Sequence, residues 1–144
     1  MALDLGARSL PSTPERATLA FAEAQNAGDL DAAASFFARD ACFLTPDATV
    51  IRGREEIRAV LAQLIASCAQ IQVEGQSMLR AGEVALSIQR WTMRSHGVGA
   101  PFVQTSSSTV LLRHLERTWK LLIVAPWGLG GAARDSYVAA SQKR

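Results

Sequence analysis

The sequence predicts an α+β domain in which three N-terminal helices pack on a strongly curved antiparallel sheet, giving a cone that encloses a pocket. Three observations predict it. Helical periodicity is confined to residues 12–68, four long strand-like segments fill residues 70–127, and the two patterns do not alternate. Helices followed by a run of strands pack on one face of an antiparallel sheet, whereas alternation would signal parallel βα units. A chain of 144 residues supports one core. Residues 1–11 read as a flexible N-terminal arm, 12–130 as the domain and 131–144 as a C-terminal tail, which is small and polar.

The first helix begins at Ser12 or Thr13 as N-cap, with Pro14 in the first turn and Glu15 placed to reach back in a capping box. Ala17, Ala20, Phe21 and Ala24 share its inner face, and Gly28 ends it. Asp29 caps a second helix whose Leu30, Ala33, Ala34 and Phe37 recur at helical spacing, so it is expected to run to about Arg39. Ala41–Leu44 is a short strand stopped by Thr45-Pro46-Asp47, because proline cannot donate to a ladder. Thr49–Arg52 pairs briefly before Gly53 opens the third helix. There Ile57, Val60, Leu61, Leu64, Ile65 and Cys68 form one apolar stripe, and Glu55 and Glu56 complement the dipole in the first turn. Strands are expected at 70–79, 84–95, 101–115 and 118–127, joined at Ala81-Gly82, at Gly97-Val98-Gly99 and at Leu115-Glu116-Arg117. Strands of this length twist and curl.

Composition excludes several function classes. The net charge of +2 comes from scattered arginines with acids between many of them, which argues against nucleic acid. No apolar run approaches the ~20 residues of a membrane helix. The first ten residues carry Asp4 and Arg8 and no apolar core, so they do not read as a signal peptide, and a cytoplasmic location is expected. The hydrophobic content of 49% is high, which calls for a pocket lining and a subunit interface, and hence a homodimer through the outer face of the sheet at Leu111, Arg113 and Leu122. Cys42 and Cys68 read as buried free thiols. Cysteines and histidines are spread from Cys42 to His114 without ligand spacing, so no metal and no cofactor are expected.

Several short pieces, in this order and spacing, carry a resemblance: Ala27-Gly28-Asp29-Leu30-Asp31-Ala32, Ala38-Arg39-Asp40-Ala41, Arg52-Gly53-Arg54-Glu55-Glu56-Ile57, Gly82-Glu83-Val84-Ala85-Leu86, Trp91 and Trp119-Lys120-Leu121. Over residues 14–128 the chain resembles the nuclear transport factor 2-like superfamily, and within it the SnoaL-like and ketosteroid-isomerase-like bacterial domains. The superfamily holds isomerases, cyclases, hydrolases, dehydratases and binding proteins, so the resemblance implies a small-molecule pocket but no single reaction.

Ketosteroid isomerases use a tyrosine on the first helix, a base aspartate before the crossing-loop proline and a protonated aspartate on the third long strand. By this resemblance those positions are Phe21, Thr45 and Val110. A phenyl ring, a hydroxyl with no nearby base and an isopropyl group neither abstract a proton nor hold an enolate, so that mechanism is rejected. Limonene-epoxide-hydrolase-like and SnoaL-like members carry an acid two residues before the position of Trp127; here it is Ala125. No aspartate or glutamate lies between Glu83 and Glu116.

If Val110 and Ala125 face inward, as the resemblance implies, alternation turns Gln104, Ser106, Ser108 and Leu112 inward, and likewise Leu121, Ile123 and Trp127. On the preceding strand Ala85, Ser87, Gln89 and Trp91 face in and Arg90 faces out. Ser106 and Ser108 lack a base and are better hydrogen-bond donors to a ligand than nucleophiles. Gln89 bonds either a ligand or the neighbouring strand's serines. Trp127 and Phe21 are expected to meet across the cavity, as core or as a stacking platform. His96 either overhangs the pocket mouth or is a solvated loop residue, His114 is surface or interface, and Arg54 receives no site role. The pocket candidates are thus Phe21, Thr45, Gln89, Trp91, Ser106, Ser108, Val110, Ala125 and Trp127. They suit a small, neutral, apolar, oxygenated compound, either as the substrate of an isomerase, cyclase or hydrolase or as the ligand of a non-catalytic binding or dimerisation module. No catalytic set is identifiable.

Overall fold

The structure, a computed structural model, describes residues 11–45, 47–95 and 102–128. The arm to residue 10, Pro46, the loop with His96 and the tail from residue 129 lie outside the described residues. In chain order the elements are α1 (Pro14–Asn26), α2 (Leu30–Ser35), β1 (Phe37–Leu44), β2 (Val50–Arg52), α3 (Arg54–Ala66), β3 (Ala69–Ala81), β4 (Val84–Ser95), β5 (Phe102–Leu115) and β6 (Thr118–Ala125). The strands form one curved, unclosed sheet in the order β2-β1-β6-β5-β4-β3, with the helices packed against it.

Thr13 is the N-cap of α1; its hydroxyl accepts from Arg16 N. Arg16 therefore holds the third helical position and Glu15 the second, so the expected capping box does not form. Pro11, the last residue of the expected arm, is buried, and its carbonyl accepts from Trp119 N and Thr118 Oγ1 at 3.1 Å each.

The second helix is shorter than its periodicity predicts. It stops at Ser35, and Phe37 opens β1 opposite Leu121. The carbonyls at this helix end are captured from other elements: Lys120 Nζ donates to Ser35 O, Leu121 N to Phe36 O at 2.8 Å, and Arg54 Nε and NH2 to Phe37 O at 3.0 and 2.8 Å. Tertiary hydrogen bonds from β6 and α3 thus override a helical pattern of one extra turn. Burial, and secondarily the charge of Arg54, pushes the Lys120 ammonium below its ordinary 10.5.

The sheet is also not wholly antiparallel. β1 pairs with β6 in parallel, while every other pairing is antiparallel. A parallel neighbour needs a long connection, which residues 45–117 supply, and no local pattern announces it.

Phe21 meets Phe37 edge-to-face at 5.2 Å between centroids and Trp91 at 6.2 Å, making the aromatic centre of the core. From α3, Ile57 and Leu61 are fully buried, whereas Val60, Leu64 and Ile65 are half-buried. Cys68 is exposed and Cys42 half-buried, so the thiols are free but not buried. Cys68 lies beyond the helix in a left-handed turn with φ +59°, its N–H on Ile65 O, which removes it from the stripe. No helix of the described residues is long and apolar enough to cross a membrane.

Candidate functional site

The concave face is built on β4. Ala85, Ser87, Gln89 and Trp91 are buried and Arg90 is exposed, as strand alternation predicts. Across from them on β5, Leu112, Val110, Ser108 and Ser106 stand directly opposite Ala85, Ser87, Gln89 and Trp91 in turn. Helix α1 closes this layer with Thr18 and Phe21, both buried.

Gln89 is the hub of the layer. Trp91 Nε1 can only donate, so the Gln89 atom 2.6 Å from it is the amide oxygen. The amide nitrogen then faces Ser87 Oγ at 2.9 Å, Thr18 Oγ1 at 3.1 Å and Gln76 Oε1 at 3.3 Å, three acceptors for two hydrogens. Gln76 in turn donates to Glu15 O at 3.2 Å, which ties β3 and β4 to α1. Gln89 does not bond the serines of β5. Ser106 and Ser108 Oγ instead both donate to Pro126 O, at 2.8 and 2.5 Å, and pin the chain after β6 onto β5. A carbonyl has two lone pairs, so this one is saturated.

Trp127 follows that carbonyl. Its ring is half-buried against the core, and its Nε1 has no acceptor among the described residues. The ring partners of Phe21 are Phe37 and Trp91 rather than Trp127. On α1, Gln25 Nε2 donates to Leu61 O at 3.1 Å, while its buried Oε1 also lacks a partner among the described residues. Val110 and Ser108 have 0% exposure, so no water-sized space, enclosed or open, touches either side chain.

The last strand departs from simple alternation. Leu111 pairs with Ile123 and Leu112 with Leu121, so Leu122 is an extra residue in β6. Beyond this bulge Val124 stands opposite the inward Val110 and is fully buried, while Ala125 stands opposite Thr109 on the other face. Ile123, opposite Leu111, is likewise turned outward. The inward placement of Ile123 and Ala125 is thereby corrected.

Thr45 ends up in a loop of its own. Its hydroxyl donates to Asp47 Oδ1 at 2.5 Å and accepts from Thr49 N at 3.1 Å. A carboxylate therefore does stand beside this hydroxyl, contrary to the sequence expectation. The Thr45 hydroxyl, then Thr49, holds Asp47 below its ordinary 3.8, so it is a weaker base than a free aspartate. The structure brings Phe21, Gln89, Trp91 and Val110 into one layer and joins Ser106, Ser108 and Trp127 beside it. Among the described residues no charged side chain is buried, and no group of three His, Cys, Asp or Glu could hold a metal.

The SnoaL-like domain family matches residues 18–114, more than half of the chain. The chain belongs to this family. No curated protein matches it in sequence. Among solved structures, this SnoaL-like chain is similar to a protein of Streptomyces avermitilis assigned by name as a dehydratase of the nuclear transport factor 2-like family, at 22% identity and TM-score 0.70 over 80% of this chain and 94% of that one. It is also similar to a Thiobacillus denitrificans protein named for the association domain of calcium/calmodulin-dependent protein kinase type II, at 24% identity and TM-score 0.67 over 83% and 99%. The protein Aln2 of a Streptomyces species matches at 17% identity and TM-score 0.70 over 92% and 99%. Likenesses of this order establish the shared fold.

Within the SnoaL-like layer, sequence reasoning missed Thr18, Gln76 and the Pro126 carbonyl. A threonine one turn before Phe21 on an alanine-rich face was a signal that could have been read. Gln76 reaches the layer through a bulge in β3, and the carbonyl of Pro126 has no sequence signature.

Proposed function

We propose that this SnoaL-like chain is a non-catalytic module that binds a small, neutral, largely apolar oxygenated compound at the layer formed by Phe21, Gln89, Trp91 and Trp127, and pairs with a second copy through the outer face of its sheet. The observation that carries the reading is that the buried polar residues among those described are threonines, serines and glutamines, with no buried aspartate, glutamate, histidine, lysine or arginine. A charged ligand there would lose hydration without gaining a counter-charge, at a cost of several kcal/mol. A neutral carbonyl or hydroxyl oxygen could instead accept from Trp127 Nε1, the indole N–H that has no partner among the described residues. Because Ser108 and Val110 are sealed, such a ligand enters by displacing the turn at Pro126 and Trp127. The hydroxyls of Ser106 and Ser108 are spent on that turn, which leaves no activated nucleophile.

Titration with planar ketones and phenols, followed by tryptophan fluorescence, tests the binding. The expected result is quenching that Trp127→Phe weakens at least threefold and that varies little between pH 6 and 9. Undiminished binding by Trp127→Phe, or no response to any neutral compound, refutes it. An enzymatic reading draws support from the relative assigned as a dehydratase; chemical conversion of a bound compound, abolished by Gln89→Leu, would establish it instead.

The pairing rests on a row of apolar side chains. Leu79, Leu86, Leu111 and Ile123 stand directly opposite one another across four strands on the outer face. Leu79 is 71% exposed, and Val84 and Ile88 flank the row at 40% and 43%. Within the row Leu86, Leu111 and Ile123 are half-buried, and an apolar surface of this kind suits a protein interaction.

A further inference from the structure

A second feature of the outer face is polar and adjoins that row at Ile88. Between Glu74, opposite Arg90, and Ser77, opposite Ile88, strand β3 carries two residues, Gly75 and Gln76, against the single Gln89. This is a β-bulge, and its first residue is a glycine at φ +62°, the left-handed conformation that such a bulge requires. The bulge sends Gln76 inward to the Gln89 network. It leaves outside a groove of about 330 Å³ bordered by Gly75, Ser77, Ile88, Arg90, Thr105 and Ser107, all exposed, with the strand at Gln89 and Ser106 as its floor.

The chemistry of this groove is one-sided. Arg90 offers a guanidinium, and no ion pair engages it among the described residues, although Glu74 is its register neighbour. Ser77, Thr105 and Ser107 add hydroxyls, Ile88 adds an apolar wall, and no carboxylate lines the space. A Cβ built on Gly75 meets nothing within 4 Å, so the bulge leaves the wall open to a guest. A planar five-donor cation beside hydroxyl donors is suited to an oxyanion held by two parallel hydrogen bonds. Arg90 lies four residues along β4 from Leu86, about 14 Å at strand rise, so a second copy centred on the apolar row leaves the groove at its rim.

We propose that this groove is a binding site for a small organic oxyanion, a carboxylate or phosphate monoester, whose charged end pairs with Arg90 and whose apolar end rests on Ile88. The site is independent of the neutral ligand assigned to the concave face.

The test is an amide NMR titration at low ionic strength with phenyl phosphate, benzoate and phenol. The expected result is that at least one of the two anions shifts Ser77, Arg90, Thr105 and Ser107, and that phenol binds there at least tenfold more weakly. Whichever anion binds more tightly assigns the headgroup. Arg90→Gln lowers the affinity at least tenfold, while Arg94→Gln, an exposed arginine further along the same strand that does not border the groove, changes it less than twofold. Equal losses in both variants, undiminished binding in Arg90→Gln, or binding by neither anion overturns the proposal. Shifts confined to Trp91 and Trp127 report the concave face instead, so the two readings fail separately.

Discussion

Gln89 and Arg90 are consecutive residues of β4, yet their side chains enter opposite chemistries. The amide of Gln89 is 2% exposed and engages four other side chains. The guanidinium of Arg90 is exposed, with no ion pair among the described residues. The same contrast holds for whole faces. Inward, the polar groups around Gln89 are bonded to one another and the rings of Phe21, Phe37 and Trp91 pack together; outward, Leu79 stands in water and Leu86 and Leu111 are half-buried beside a hydroxyl-lined groove. The inner face is filled by the chain's own rings and amides, with the Trp127 indole N–H left over, and the outer face leaves Leu79 and Arg90 to solvent, so stability should be concentrated on the inner face.

The largest effect expected from that division is on α3. Leu61→Ala removes a fully buried side chain and should destabilise the fold by about 2–5 kcal/mol in chemical denaturation; an unchanged midpoint would mean that the inner layer is not the core. Next come the neighbours on β4. Gln89→Leu strands Trp91 Nε1 and leaves Gln76 Oε1 without its donor, costing roughly 1–3 kcal/mol, whereas Arg90→Gln should stay within about 0.5 kcal/mol of the parent. Equal costs for the pair would erase the contrast. On the outer row, Leu111→Glu should leave the fold intact but convert a particle of twice the 15.4 kDa chain mass into a monomer by light scattering; a parent that is already monomeric removes the pairing.

The smallest effect is electrostatic. Asp40 is held below its ordinary 3.8 chiefly by its hydrogen bond to Arg113, 2.9 Å away. A carboxylate with a depressed folded-state pKa contributes stability above 3.8 and loses it as pH falls through the folded value. Arg113→Gln should therefore flatten the fall in stability below about pH 4, a small slope because the pair is exposed. An identical acid limb in both proteins would show that the bridge carries nothing.

What could be read from the sequence follows the same division by range. The facing of Ala85, Ser87, Gln89 and Trp91 was legible because strand alternation is local. So were the caps at Thr13 and Asp29, where a side-chain oxygen meets an N–H three residues on. The end of α2 was not, because Leu30, Ala33, Ala34 and Phe37 keep helical spacing and the hydrogen bonds that stop the helix come from Arg54, Lys120 and Leu121. Nor were the partners of Gln89 and Ser108, which depend on Gln76 in one bulge and on Pro126 beyond another. The contact of Thr45 with Asp47 was legible in principle, because the two side chains are only two residues apart and such local hydrogen bonds need no tertiary partner.

The extra residue in β6 also changes how roles may be transferred between relatives. Plain alternation carries the facing of each position correctly up to Leu121 and inverts it afterwards, so Ala125, the position the resemblance matches to an acid, faces away from the Gln89 layer. A carboxylate grafted at Ala125 would stand on the far side of the sheet from Gln89. Val124, opposite Val110, is the position from which an engineered acid would meet the Gln89 layer, and deleting Leu122 would remove the bulge while keeping Val124 on that face.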